Sequence, residues 1–65
     1  MQIAQYLKKK NYTQAHFARL LGVSTTILNQ WLSGKKPVSP QKARLIEKET
    51  GGEVTRLELR PDIFA

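Results

Sequence analysis

The chain has 65 residues, enough for one small domain, and a formal net charge of +6 from 11 lysines and arginines against five acids. It has no cysteine, which excludes a disulfide framework and a thiolate metal site. No apolar run approaches the ~20 residues that span a bilayer, and no signal-peptide pattern opens the chain. We therefore expect a single soluble, cytoplasmic domain over residues 1–65.

The positive charge is concentrated in one part of the chain. Residues 1–44 contain eight basic residues and no acid, whereas residues 45–65 contain three basic and five acidic residues, a net charge of −2. A one-sided positive field suits phosphate binding and electrostatic steering. A merely solubilising surface would intersperse both signs. The distribution therefore favours a polyanionic partner.

The N-terminal segment predicts a short helix over residues 1–9. Its apolar residues recur at helical spacing, and three consecutive lysines follow at residues 8–10. The negative end of the helix dipole is a sufficient structural reason for these lysines, and a phosphate contact is the alternative. Asn11 tolerates the left-handed conformation that would end this helix. The residues expected to face the core are Ile3, Ala4 and Leu7, with Tyr6 beside them.

The next segment predicts a helix over residues 14–21. The hydroxyl of Thr13 can satisfy a free backbone N–H of the first turn. Gly22 can end the helix because glycine adopts a positive φ without steric cost. The apolar face, at i, i+3 and i+4, consists of Phe17, Leu20 and Leu21.

A second helix follows after a tight turn, between a Ser24 cap and Gly34. Ala18 on the first helix is small enough to let the second helix approach closely. The short turn forces a sharp crossing, so the pair is predicted to be a helix-turn-helix, which places its second helix in the major groove of DNA. An ordinary helical hairpin in a small domain is the alternative. The inward residues of the second helix are Leu28, Trp31 and Leu32.

The outward face of this second helix carries amides and hydroxyls in place of the usual charges. No charged residue occurs between Ser24 and Ser33. Amide side chains can bond adenine at N6 and N7, and hydroxyls can serve either base edge. The alternative is that these are ordinary surface residues. A helical projection places Thr26, Gln30 and Ser33 opposite the core, Asn29 on a flank and Thr25 at the exposed first turn.

Two lysines, Lys35 and Lys36, stand just beyond the second helix, with no acid near them in sequence. Pro37 keeps the following segment extended, and Val38 can anchor it in the core. We expect both ammonium groups to bind the phosphates of a DNA backbone passing there.

A further helix is predicted between a Ser39 cap and the glycine pair at 51–52, with Ala43 and Ile46 facing inward. Its N-terminal N–H groups could also meet a phosphate. A scaffold helix that closes the bundle is the alternative for most of its residues. The basic side chains near its start that could bind phosphate are Lys42 and Arg44.

The C-terminal segment contains the capping-box spacing T-x-x-E at Thr55 and Glu58, which predicts a helix of one or two turns that ends before Pro61. The apolar residues around it could seal the core or form a self-association patch. Those expected in the core are Val54, Leu57 and Leu59, and those expected in or beside a dimer contact are Ile63 and Phe64.

No residue pattern indicates catalysis. His16 is the only histidine, no cysteine accompanies it, and the acids are confined to the C-terminal part of the chain. No glycine-rich phosphate loop is present. We expect no catalytic residue, no metal site and no cofactor, and so not an enzyme.

The residues Gln14, Ala18, Gly22-Val23, Leu28 and Trp31 resemble the helix-turn-helix of phage Cro and C1-type repressors. With the segments GKKPVSP, IEKETGG and LRPDIF, the chain most resembles the small Cro-like proteins of the YdaS group, over roughly residues 2–64. That group consists of short prophage-encoded transcriptional regulators, some assigned to toxin–antitoxin loci. The resemblance implies a lambda-repressor-like fold and a phosphate contact at Gln14. The base-reading residues that it implies are Thr25, Thr26, Asn29 and Gln30.

The sequence thus predicts a compact all-α domain of four to five helices around a helix-turn-helix. The predicted function is that of a Cro-like repressor that binds a palindromic double-stranded operator as a homodimer, which could form only on DNA; the protein would then be associated with the nucleoid. One alternative is a component of a toxin–antitoxin pair that acts through a protein partner. Another is RNA binding, although no exposed aromatic pair is placed for base stacking. The residues expected at the centre of the core are Phe17, Leu21, Leu28, Trp31 and Ile46.

Overall fold

The computed structural model describes residues 1–64 and contains six α-helices in that range. The all-α class is confirmed, with one helix more than the four to five predicted. Pro61 was expected only to end the preceding helix, yet it also begins a new one, since a proline at the first helical position loses no hydrogen bond. The helices are α1 (Ile3–Lys10), α2 (Gln14–Leu21), α3 (Thr25–Ser33), α4 (Pro40–Glu49), α5 (Arg56–Leu59) and α6 (Pro61–Phe64).

Side-chain caps fix where the helices begin. The hydroxyl of Thr13 accepts a hydrogen bond from the His16 N–H at 3.1 Å, and the hydroxyl of Ser24 accepts one from the Ile27 N–H at 3.1 Å. Ser39 caps α4 at 3.3 Å in the same way. Each such cap stabilises a helix by about 1 kcal/mol. These predicted caps are confirmed.

The helices end where left-handed residues turn the chain. Asn11 follows α1 with φ 59°, and Gly22 follows α2 with φ 70°. After α2, the N–H of Val23 donates to the carbonyl of Ala18 at 3.0 Å, which is the 6→1 hydrogen bond of a Schellman motif. This turn leaves only three residues between α2 and α3, so the two helices pack directly against each other as predicted.

The core lies where α1, α2, α3 and α4 meet. The largest fully buried side chains are Phe17, Leu21, Leu28, Ile46 and Val54. Four of the five residues predicted at its centre are therefore confirmed. Trp31, the fifth, is only half-buried and packs against the rim of this cluster. Ala18 is buried, as the close approach of α3 requires.

Three residues predicted to face the core are instead exposed: Ala4, Leu20 and Leu57. Leu20 is 45% exposed because Phe17 and Leu21, four residues apart, take the inward direction of the short helix α2. Leu57 is 48% exposed because α5 makes a single turn, and Val54 just before it fills the core position.

Two polar side chains that the apolar pattern did not reveal hold the C-terminal part in place. Thr50 is buried, and its hydroxyl lies 2.8 Å from the Ile46 carbonyl and accepts from the Val54 N–H at 3.1 Å. Arg60 donates to the Val38 carbonyl at 2.8 Å and forms a forked pair with Asp62 at 3.0 and 2.8 Å. These contacts join α5 and α6 to α4 and to the segment before it.

None of the helices in residues 1–64 is both long enough and apolar enough to cross a membrane.

Candidate nucleic-acid interface

The outward face of α3 is built as a helical projection predicts. Leu28 is completely buried, and this fixes the rotation of the helix about its axis. Thr25, Thr26 and Asn29 are exposed, while Gln30 is half-buried. Three of the four predicted base readers are thus exposed, whereas Gln30, which the projection placed opposite the core, is partly covered.

Three of these four residues line one shallow cavity of about 260 Å³. Thr25 stands apart from it, in the first turn of α3. The lining is hydroxyl, amide and ammonium, without an acid. The residues around the cavity are Thr26, Asn29, Gln30, Ser33 and Lys35.

Gln30 has an unsatisfied polar atom at this cavity. Its Oε1 is buried and has no hydrogen-bond partner among residues 1–64. A buried acceptor without a partner costs about 1–3 kcal/mol. A base edge could supply a donor to this atom when the side chain turns outward.

The end of α3 fixes the backbone of the two lysines that follow. Gly34 has φ 80°, and beyond it the N–H of Lys35 donates to the Gln30 carbonyl at 3.0 Å. The N–H of Lys36 points to the same carbonyl at 3.4 Å. Both lysine side chains are exposed. They are therefore held at the last turn of α3 by the backbone and not by their own side chains.

The five predicted phosphate-binding residues fall into two groups. Gln14, the first residue of α2, is exposed, as are Lys35 and Lys36. Lys42, by contrast, donates from its Nζ to the Leu21 carbonyl at 3.4 Å, so its charge lies at the negative end of α2. Arg44 is exposed, and its guanidinium stacks over the Phe64 ring at 5.5 Å. Lys42 and Arg44 thus have an intramolecular role that the sequence did not indicate.

The acidic side chains of the C-terminal part are mostly neutralised within the chain. Asp62 pairs with Arg60 at 2.8 Å, and this hydrogen bond lowers the pKa of the Asp62 carboxyl below its ordinary value. Glu53 pairs with Lys9, and the hydrogen bond from Lys9 likewise lowers the pKa of Glu53. The other acids in ion pairs are Glu47, with Arg56 at 3.9 Å, and Glu58, with the Met1 ammonium.

No carboxylate within residues 1–64 forms an ion pair with the basic residues of the helix-turn-helix. Arg19, Lys35 and Lys36 are exposed and appear in none of the four ion pairs. The positive field around α3 is therefore not cancelled locally, and it remains available to a polyanion.

Sequence reasoning missed the position of Lys35 beside the predicted base readers, and it did not name Ser33 among them. A signal for Lys35 existed. A glycine that ends a helix in a Schellman motif brings the residue after it back to the last turn of that helix.

No cluster of three histidine, cysteine, aspartate or glutamate side chains that could hold a metal ion occurs in the described part of the chain.

Comparison with known proteins shows the family to which the chain belongs. The family model described as "Bacterial toxin YdaS" matches residues 3–65. A protein of Escherichia coli (strain K12), named as the candidate transcriptional regulator YdaS, is 42% identical over an alignment of 67 positions. That alignment covers 88% of this chain and 68% of the relative. The resemblance read from the sequence is thereby confirmed, and the chain belongs to the YdaS family.

Proposed function

We propose that this protein is a sequence-specific regulator of transcription that inserts α3 into the major groove of duplex DNA. The observation that carries this proposal is the face of α3, which presents amides and hydroxyls beside cations that no acid neutralises. The name of the Escherichia coli relative, a candidate transcriptional regulator, agrees with it. A binding role of this kind requires no catalytic residue.

The bases are read by the four side chains on the outward face of α3. Gln30 is the central reader: turned outward, its unpartnered Oε1 accepts from adenine N6 while its amide nitrogen donates to N7. Asn29 can make the same pair of bonds with a neighbouring adenine. Thr25 and Thr26 supply hydroxyls and methyl groups for nearby base edges. Phosphate contacts from Gln14 and from Lys36 set the register.

A single domain of this size buries only about 600–1,000 Å² on DNA. Useful specificity therefore favours two copies on a palindromic operator, with half-sites one helical turn apart, about 34–36 Å. We propose that this homodimer forms on the operator and represses transcription by occupying it.

The test is selection of bound sites from a random duplex pool with the natural protein and with Gln30→Ala. The natural protein is expected to enrich a palindrome, and the variant to relax one position in each half-site by about 1–3 kcal/mol. Gln41→Ala is the matched control, since Gln41 is an exposed glutamine on the scaffold helix α4. It should leave the preferred sequence unchanged. Binding without any enriched sequence would contradict the proposal.

A second candidate function is that of one component of a toxin–antitoxin pair, acting on a toxin or antitoxin protein. The family description contains the word toxin, and two apolar side chains near the C-terminus, Leu57 and Ile63, are about half exposed. Ile63→Ser should then abolish binding to that toxin or antitoxin protein, measured by calorimetry, and leave DNA binding intact. Unchanged affinity would exclude this surface as the docking site.

A further inference from the structure

Two adjacent lysines, which the sequence assigned to one task, lie on different surfaces of the protein. Lys35 lines the shallow cavity on the outward face of α3, together with Asn29 and Gln30. Lys36 lines a second cavity of about 550 Å³, together with Trp31 and Val38, and the two cavities share only Ser33. A shared role for the two lysines in backbone binding therefore does not follow from their being neighbours in sequence.

The backbone fixes this divergence. The left-handed Gly34 and the 3.0 Å bond from the Lys35 N–H to the Gln30 carbonyl hold the Lys35 Cα against the last turn of α3. Both side chains are exposed, and neither forms an ion pair within residues 1–64. In the described part of the chain, no acid lies within ion-pair distance of Lys35.

The chemistry of the cavity indicates what Lys35 would meet. When α3 enters a major groove, the residues of its outward face point to the base edges at the floor, whereas phosphates line the walls. A lysine that shares a cavity with Asn29 and Gln30 is thus placed at the floor. The base edge that suits an ammonium group is guanine, whose O6 and N7 are both acceptors.

We propose that Lys35 is a specificity-determining residue that reads a guanine beside the base read by Gln30, while Lys36 binds the backbone. This inference rests on the proposed function and deepens it, because it adds a fifth base reader and names the base. The recognition sequence then contains a G·C pair next to the position that Gln30 controls.

The test compares Lys35→Ala with Lys36→Ala in the same selection from random duplex DNA. The two variants remove the same charge from neighbouring exposed residues, so each is the matched control of the other. Lys35→Ala is expected to lose a preference of roughly 5- to 150-fold for G·C at one position of each half-site. Lys36→Ala is expected to weaken all sequences alike and to keep the preferred sequence.

A second measurement uses DNA in which the guanine lacks one of its two acceptors, N7. Replacing the guanine by 7-deazaguanine should weaken binding of the natural protein and leave the affinity of Lys35→Ala unchanged. An unaltered preference in Lys35→Ala, with uniformly weaker binding, would overturn this inference and leave the proposed function standing. If the natural protein enriches no sequence, both fail together.

Discussion

The two parts of the chain differ in how their charged side chains are used. In residues 45–64, four of the five acids form ion pairs: two attach α5 to α4 and to the N-terminus, one attaches the turn after α4 to α1, and one lies within the C-terminal segment itself. In residues 1–44 there is no acid, and the cations beside α3 have no ionic partner among residues 1–64. The acidic part therefore uses charge to hold the fold, with Lys9 and the Met1 ammonium as partners in two of the pairs, whereas the cations beside α3 remain available to a ligand.

The ion pairs of the C-terminal part also affect the electrostatic field of the whole molecule. Acids that are already paired with cations of their own region, such as Asp62 with Arg60 and Glu47 with Arg56, do little to offset the lysines after α3. Two cation–π contacts hold α6. The guanidinium carbons of Arg44 and Arg56 lie 5.5 and 5.4 Å from the centre of the Phe64 ring. The C-terminal part therefore stabilises the fold, and variants in it should change stability without changing DNA binding.

The largest expected effect is on stability and belongs to the C-terminal part. Thr50→Val removes the hydroxyl that serves the Ile46 carbonyl and the Val54 N–H, and leaves that N–H buried without a partner. The free energy of unfolding should fall by about 1–3 kcal/mol, measured by urea denaturation. Thr50→Ser keeps the hydroxyl and should lose distinctly less. Equal losses in the two variants would show that the hydrogen bonds do not matter.

A smaller effect is expected on DNA affinity and separates the two parts by charge alone. Lys36→Gln and Lys48→Gln each remove one positive charge from an exposed side chain, the first beside α3 and the second in the last turn of α4. In a salt titration with a duplex of arbitrary sequence, Lys36→Gln should reduce the slope of log K against log salt by about 0.9. Lys48→Gln should leave this slope almost unchanged. Equal slopes for the two variants would contradict an interface confined to the α3 side.

The smallest effect concerns acid. The Arg60 hydrogen bond lowers the pKa of Asp62 in the folded state, so the stability that this pair contributes is present above the ordinary carboxyl pKa near 4 and is lost as pH falls through the lowered value. Asp62→Asn should therefore flatten the fall in melting temperature between about pH 4 and pH 2.

Glu49→Gln is the control for this pH experiment, since Glu49 forms no ion pair within residues 1–64. Its melting temperature should fall with pH as steeply as that of the natural protein. An Asp62→Asn profile that coincides with the Glu49→Gln profile would show that the pair with Arg60 contributes nothing.

Most helix boundaries were predictable because they depend on local rules, although the start of α6 at Pro61 was not predicted. A serine or threonine cap and a left-handed residue act within one turn, so Ser24 and Gly34 could be identified from their neighbours. The outward face of α3 followed as well, because a buried Leu28 sets the rotation of the helix, and its role in reading bases stays a prediction. The family likeness agreed with both.

The features that could not be predicted from the sequence depend on contacts between segments that are distant along the chain. Nothing near Arg60 in the sequence indicates that its guanidinium reaches the Val38 carbonyl, 22 residues away. The exposure of Leu20 could not be read from an apolar period, since a short helix buries a narrower stripe than its pattern offers. The separation of Lys35 from Lys36 likewise needs the three-dimensional path of the chain after Gly34.

The central claim, that the helix-turn-helix part is the DNA interface and the C-terminal part is scaffold, is tested most directly by NMR. Backbone amide shifts would be followed while a duplex that carries one selected half-site is added, so that dimer contacts do not contribute. We expect large changes at the start of α2 and from Ser24 through Lys36, with α5 and α6 almost unaffected. Changes concentrated on α5 and α6, with α3 unperturbed, would contradict it and would place the binding surface at the C-terminal end.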